Sequence, residues 1–168
     1  MNMKKFTVVG LMLVLAAGGA FAATSGTLNL VGTVPGILEI SVSAESVAGN
    51  LDLTTDQTDL LVATINERSN KKAGYTVTLE SQTAAAGDGS TSVFASADTG
   101  NPDTLTYTMS YGGSAVNLSG GSALVTDVTD KSNASGTNNE LRISYTGSGE
   151  WLFEDTYEDT LTFTITAK

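Results

Sequence analysis

The chain has 168 residues, with no Cys and no His, and its 18 acidic and 8 basic residues give a formal net charge of −10. The absence of His and Cys excludes serine–histidine and cysteine–histidine catalysis, and it excludes thiolate and imidazole metal sites. The acidic balance argues against nucleic acid and anionic lipid as partners, because both require a basic footprint.

Residues 1–22 have the pattern of a cleavable secretory signal. Lys4 and Lys5 provide a basic start, an apolar run extends from Phe6 to Ala17, and Ala20-Phe21-Ala22 ends in the small residues that a signal peptidase reads. The apolar run is shorter than the roughly 20 residues that a membrane-spanning helix needs. We therefore predict cleavage after Ala22 and export to the periplasm, the cell surface or the medium, with no membrane span left after cleavage.

Apolar and polar residues alternate with period two from Thr27 to the C-terminus, which is the pattern of strands with one buried face. The predicted strands, in chain order, are centred on Leu28–Val34, Leu38–Val42, Leu61–Ile65, Tyr75–Leu79, Leu105–Tyr111, Leu141–Tyr145 and Leu161–Ala167. In the last of them, threonines alternate with apolar residues without interruption. We predict a long exposed loop over residues 84–100, with a short strand around Val93 and Phe94.

Turn-forming residues separate these strands. Pro35-Gly36 kinks the chain after the first strand, and glycine pairs or Asn-rich stretches follow most of the others. No helical period of 3.6 is evident. We therefore predict an all-β protein, an immunoglobulin-like or pilin-like antiparallel β-sandwich over residues 36–168. A sheet closed on itself is the alternative architecture.

Acidic residues next to aromatic residues near the C-terminus are candidates for a sugar-binding or calcium-binding site. Glu154-Asp155 and Glu158-Asp159 lie close in sequence to Trp151, Phe153 and Tyr157, a combination that sugar-binding or calcium-binding loops use. The simpler interpretation, which we favour, is a solvated loop whose aromatic residues anchor the last strand.

Asp52, Asp56 and Asp59 form a looser cluster without the ligand spacing of a calcium loop. We therefore predict no enzyme, no metal and no cofactor. The alternative function is a secreted carbohydrate-binding module that uses Trp151 and Tyr157.

The order of the segments resembles the subunits of chaperone–usher fimbriae, in particular the cysteine-free colonisation-factor pilins, and the related spore-coat-protein-U-like secreted proteins. The similar segments are Gly26–Pro35, Asn70–Leu79, Thr106–Gly113, Glu140–Ser144 and Tyr157–Thr166. Each motif alone is common in sandwich proteins, and their order carries more weight than any one of them.

The resemblance implies a structural, fimbrial or coat-like subunit of the bacterial cell surface whose partners are like subunits and a periplasmic chaperone and usher. Such pilins lack their last strand, and the N-terminal extension of the next subunit fills the open groove by strand addition. In this chain the donor strand implied by the resemblance, within residues 23–35, is Thr24–Val34, which would insert Leu28, Leu30 and Val34, with Gly32 where the groove is tight. The alternative is that the same segment is an ordinary first strand of its own sandwich.

Overall fold

The computed structural model describes residues 24–168. The predicted signal peptide, residues 1–22, lies outside the described residues. Residues 24–37 have no regular secondary structure, and residues 34–168 form one compact unit. Within residues 24–168, no helix is long and apolar enough to cross a bilayer.

Ten strands and two short helical elements make up the described chain. The strands are β1 (Leu38–Ala44), β2 (Gln57–Ser69), β3 (Tyr75–Ser81), β4 (Ser92–Ser96), β5 (Thr104–Tyr111), β6 (Ser114–Ala115), β7 (Ser122–Val128), β8 (Thr137–Tyr145), β9 (Tyr157–Glu158) and β10 (Leu161–Ala167). A 3-10 turn (Ser46–Gly49) follows β1, and the helix α1 (Gln82–Ala86) follows β3.

These strands form two antiparallel sheets in a sandwich-like arrangement, as the sequence predicts. Sheet A has the order β1-β2-β8-β5-β4-β9, with β6 attached to β5, and sheet B has the order β10-β3-β7. β1 and β9 are therefore the edges of sheet A, whereas β10 and β7 are the edges of sheet B. All pairings between the strands are antiparallel.

The alternating pattern explains which face of each strand is buried. Val77 and Leu79 of β3 have no exposed surface, and Thr76 and Thr78, which alternate with them, face outward and are partly exposed. The core that joins the two sheets consists of Val62, Ala63, Ile65, Leu79, Phe94, Leu105, Tyr107, Met109, Tyr111, Leu141, Ile143 and Tyr145. Phe94 stacks on Tyr107, with 4.4 Å between their ring centroids.

Three sequence-based predictions differ from the structure. Residues 84–100 contain the short strand predicted around Val93 and Phe94, which is β4, but they are not otherwise one long loop, because α1 reaches into them. The Ser81 hydroxyl accepts a hydrogen bond from the Ala84 amide and caps this helix, which is too short to show a period of 3.6. β7 was not predicted, because a bulge opposite Val77 and Thr78 breaks its alternation. The predicted strand over Leu28–Val34 is absent from the described residues.

Candidate strand-binding cleft

β1 and β10 lie next to each other at one side of the sandwich, and each has an unpaired edge. β1 pairs only with β2, and β10 pairs only with β3, among the described residues. The two strands approach each other although they belong to different sheets. Their Cα atoms come within 8 Å of each other, and we call the surface formed by these two unpaired edges and their partly exposed side chains the β1–β10 cleft.

Among the described residues, the backbone of β10 has hydrogen-bonding groups without partners on the side of this cleft. The Lys168 amide donates to the Gly74 carbonyl (3.2 Å), and the Gln82 amide donates to the Thr160 carbonyl (3.0 Å). In an antiparallel pair the bonded positions alternate, so the even-numbered residues of β10 bond to β3. The N–H and C=O groups of Leu161, Phe163 and Ile165 therefore point to the unpaired edge.

The backbone of β1 has the same arrangement. The Asn70 amide donates to the Ile37 carbonyl (3.2 Å), and the Glu45 amide donates to the Val62 carbonyl (2.9 Å), so the odd-numbered residues bond to β2. Ile40 and its alternate neighbours therefore present their backbone groups to the cleft. Two facing edges with free donors and acceptors provide a template for a further strand.

Apolar side chains in the cleft are incompletely covered. Leu161, Phe163 and Ile165 of β10 are only half-buried, although they lie on the face that the alternation assigns to the core. In β1, Ile40 is half-buried and Val42 is 51% exposed. The inward side chains of the neighbouring strand β3 are fully buried. β7, the other edge of sheet B, is also partly exposed, with Leu124 59% exposed, so incomplete cover is a property of the edge strands.

A polar network lies next to the cleft in the core. The Phe163 ring packs against Tyr111, with 5.9 Å between centroids, and the Tyr111 hydroxyl donates to Glu67 Oε1. Glu67 is fully buried and also accepts a hydrogen bond from the Thr126 hydroxyl (2.8 Å). Its Oε2 has no partner among the described residues. Burial, together with the bond to Glu67, raises the pKa of the Tyr111 hydroxyl.

Asp159 fixes the start of β10. Its Oδ2 accepts hydrogen bonds from the Ser81 hydroxyl (2.6 Å) and the Tyr107 hydroxyl (2.5 Å), and its Oδ1 accepts one from the Thr83 amide (3.0 Å). This carboxylate therefore links β10 to α1 and to sheet A. Burial and then Asp159 raise the pKa of Tyr107, because an ionised phenol beside a carboxylate is unfavourable.

The predicted donor residues are exposed in this structure. Leu28, Leu30 and Val34 are 80–84% exposed, and residues 24–37 contain no strand. A Cβ on Gly32 would meet no atom within 4 Å. Residues 24–37 form no strand in this structure, and whether the segment pairs within its own sandwich or with a second chain stays a prediction.

The acidic and aromatic residues near the C-terminus form an internally bonded loop. Asp155 accepts hydrogen bonds from the Ser96 hydroxyl and the Asn101 side chain (3.0 Å), and these bonds lower its pKa. The Tyr157 hydroxyl donates to the Phe153 carbonyl (2.9 Å). Trp151, by contrast, is 97% exposed.

The three aspartates near residue 55 have separate partners. Asp52 accepts bonds from the amide and hydroxyl of Thr54, Asp56 accepts from the Ser148 amide (2.9 Å), and Asp59 pairs with Arg142 (3.4 Å). Within residues 24–168, no group of three or more acidic side chains is placed to hold a metal ion.

A shallow hollow of about 520 Å³ lies over the outer face of sheet A. Hydroxyl-bearing residues of β5 and β8 line it, and Asp56 and Glu150 are also among its lining residues. Hydrogen bonds from Ser148 lower the pKa of Asp56, which favours its ionised form. The sequence did not indicate this hollow, because outward-facing Thr and Ser residues are ordinary on strands and their clustering depends on the sheet order.

No protein-family model matches this sequence, and no curated protein matches it significantly. The residues of the cleft, rather than a relative, therefore carry the functional argument.

Proposed function

We propose that this chain is an exported, non-catalytic structural subunit of the bacterial cell surface, fimbrial or coat-like, that assembles by strand addition. In this proposal, residues 24–34 of one copy, the N-terminal segment, occupy the β1–β10 cleft of another copy. The observation that carries the proposal is the match between an uncovered apolar cleft with free backbone groups and an exposed alternating segment in the same chain.

The two surfaces are complementary in pattern. Leu28, Leu30 and Val34 have even numbers and share one face of an extended segment, so they can enter the cleft together. The odd-numbered residues between them, which are polar except for Val31, then face the other side. Burial of these three side chains contributes on the order of 5–8 kcal/mol, at about 1.5–3 kcal/mol each, before the cost of ordering the segment. Backbone hydrogen bonds between the inserted segment and the unpaired edge of β10 contribute further to the free energy of binding.

Gly32 lies on the same face as the three apolar residues and carries no side chain. A glycine weakens a strand, because it has no side chain to pack. A glycine within a strand therefore often marks a position where another backbone approaches too closely for a side chain to fit. In the proposed complex Gly32 lies at the narrowest part of the cleft, as the resemblance to the chaperone–usher pilins implies.

The absence of cysteine is consistent with stabilisation by assembly. Exported domains of this size frequently depend on disulfides, and this chain has none. Filling the cleft would cover the half-buried residues of β1 and β10 and supply stability that the single copy lacks. A periplasmic chaperone and an usher are the partners that such an assembly requires before the segment is in place.

A peptide experiment tests the proposal. Residues 23–168 carrying L28D and L30D provide an acceptor that cannot donate its own segment, and the synthetic peptide Thr24–Val34 provides the donor. We expect the peptide to bind and to raise the Tm of the acceptor by more than about 5 °C, since a ligand that binds only the folded state stabilises it. The same peptide with both leucines replaced by Asp is the matched control.

Sizing of the unsubstituted chain completes this test. We expect the chain from residue 23 to form oligomers and the L28D/L30D chain to remain monomeric. If the unsubstituted chain is a stable monomer and the peptide does not change its Tm, strand addition is refuted.

The exposure of Trp151 favours a second candidate function, a carbohydrate-binding module, because an exposed tryptophan face can stack on a sugar ring. Glycan-array binding with and without calcium tests it. A sugar signal that Trp151→Ala abolishes would support this alternative, and the absence of any signal would remove it.

A further inference from the structure

The two ends of the sandwich differ in charge. β1 and β3 begin at one end, where β2 and β10 finish, as the pairing of Leu38 with Ser69 and of Tyr75 with Ala167 requires. We call this the basic end. At the opposite end, the acidic end, β1 finishes and β10 begins.

The basic end holds most of the positive charge. Five of the six basic residues among residues 24–168 lie there, in or beside the ends of β2, β7 and β10: Arg68, Lys71, Lys72, Lys131 and Lys168. Arg68 pairs with Glu39 (3.1 Å), and Lys168 pairs with Asp127. The other three take part in no salt bridge within residues 24–168, and Lys72 and Lys131 are exposed.

The acidic end has no counterbalancing cation in its loops. Three segments form it, residues 45–56, 97–103 and 146–160, and they contain no Lys or Arg. They carry ten of the 18 acidic residues of the chain: Glu45, Asp52, Asp56, Asp98, Asp103, Glu150, Glu154, Asp155, Glu158 and Asp159. Trp151 and Phe153, 97% and 65% exposed, lie in the third segment.

The chain leaves the sandwich at the basic end toward its N-terminus. The Asn70 side chain, in the turn between β2 and β3, donates to the Pro35 carbonyl (2.8 Å) and accepts from the Ile37 amide (2.7 Å). Pro35 is therefore held beside Lys71 and Lys72. The N-terminal segment precedes Pro35 directly, so any copy that receives this segment also meets the basic end of its donor.

We infer that the basic end of one copy docks on the acidic end of the next copy, in a head-to-tail contact that covers Trp151 and Phe153. This inference rests on the proposed strand addition, and it identifies the partner surface that strand addition brings together. The occupant is a second copy of this chain, because the same molecule presents both complementary surfaces. A contact between different surfaces of identical copies repeats without closing, as a fibre requires.

Charge complementarity also selects the direction of the inserted strand. When the basic end of the donor rests on the acidic end of the acceptor, Val34 lies at the acceptor's acidic end and Thr24 points to its basic end. The segment then runs antiparallel to β10, which starts at the acidic end. The opposite direction would place two basic ends against each other, which like-charge repulsion disfavours.

Charge reversal at each end provides the test. The first variant is K72E/K131E, at exposed residues of the basic end, and the second is E150K/E154K, at exposed residues of the acidic end. Each chain, residues 23–168, is refolded alone or mixed with the other, and its sedimentation is measured at low and high salt. We expect each variant alone to self-associate about tenfold or more weakly than the unsubstituted chain at low salt.

Two further samples must regain association. An equal mixture of the two variants restores complementary ends and should assemble as the unsubstituted chain does. A single chain with all four substitutions keeps the original net charge and should also assemble, which separates the effect of end charge from that of net charge. Assembly of both variants alone at the unsubstituted level would overturn the inference.

Trp151 is the one tryptophan of the chain, so its fluorescence reports the contact directly. We expect its emission to shift to shorter wavelength when copies assemble and to stay unchanged when only the Thr24–Val34 peptide binds. A rise in Tm with the peptide, without assembly in any sample, would overturn the end-to-end contact but leave strand addition intact. No response to the peptide and no assembly would overturn both.

Discussion

Glu67 is a carboxylate enclosed between the two sheets, and its network explains why part of the core is polar. Its Oε1 accepts hydrogen bonds from Tyr111 of sheet A and Thr126 of sheet B, so it bonds across the sandwich. A buried carboxylate is costly unless it is bonded, and one of its oxygens already has no partner among the described residues. The loss of another hydrogen-bond donor to Glu67 should therefore lower the free energy of unfolding.

We expect Tyr111→Phe to lower the free energy of unfolding by about 1–3 kcal/mol, the cost of leaving a buried acceptor without its donor. Urea unfolding followed by circular dichroism measures it. Tyr157→Phe is the matched control, because Tyr157, in the short edge strand β9, is only half-buried, and its hydroxyl bonds to the Phe153 carbonyl at an exposed position where water can replace it. A Tyr111→Phe cost no larger than that of the control would contradict this role of Glu67.

The buried tyrosines predict a pH dependence at the alkaline side. Burial and neighbouring carboxylates raise the pKa of Tyr107 and Tyr111 above the ordinary value of 10.0. The unfolded chain loses these protons first, so stability is retained below about pH 10 and falls as the pH rises further.

Urea midpoints between about pH 8 and pH 11 test this pH dependence. We expect the midpoint to fall above about pH 10, and to fall less steeply in a Tyr107→Phe/Tyr111→Phe chain. A midpoint that is constant over this range, or equal slopes in the two chains, would show that these hydroxyls are not protected by the fold.

At the scale of elements, β10 depends on its attachment at Asp159. Asp159→Ala removes the acceptor of three hydrogen bonds that hold the strand to α1 and sheet A. We expect a loss of about 1.5–3 kcal/mol in the free energy of unfolding, the range for bonds to a charged group, and weaker binding of the Thr24–Val34 peptide.

Asp159→Asn keeps the size of the side chain and one acceptor oxygen, so it should lose less stability than Asp159→Ala. Urea unfolding and peptide titration are measured on the same preparations. An alanine variant with unchanged stability would mean that β10 is positioned by its pairing with β3 alone.

The sequence predicted those elements whose alternation is uninterrupted. β10, β5 and β3 have regular period-two patterns, and the structure places strands where these patterns lie. β7 was not predicted, because its bulge shifts the alternation and leaves both odd- and even-numbered residues partly exposed. The segment before Pro35 alternates but forms no strand here, since alternation indicates that a segment can form a strand and does not show which strand it pairs with.

The candidate cleft was predictable only in part. The sequence indicated Leu28, Leu30, Gly32 and Val34 as donor residues through a resemblance, but no local pattern identifies an acceptor. Phe163 and Ile165 alternate as regularly as fully buried core residues do. Their partial exposure follows from the sheet order, which leaves β10 at an edge beside β1.

The whole molecule combines an open side with oppositely charged ends. The net charge of −10 does not reveal that positive and negative charges are separated between the two ends of the sandwich. The basic residues come together only because β2, β7 and β10 finish at the same end. The proposed assembly uses both features: apolar burial in the cleft supplies most of the affinity, and the charged ends select the arrangement of copies.

Amide hydrogen exchange along β10 tests the central claim most directly. In the L28D/L30D chain, residues 23–168, the amides of Leu161, Phe163 and Ile165 face the unpaired edge, whereas those of Thr162 and Thr164 already bond to β3. We predict that the Thr24–Val34 peptide slows exchange at the three odd-numbered positions and changes the two threonines much less. Unchanged exchange at Phe163 and Ile165, at peptide concentrations that saturate any binding, would contradict the claim that this edge receives a strand.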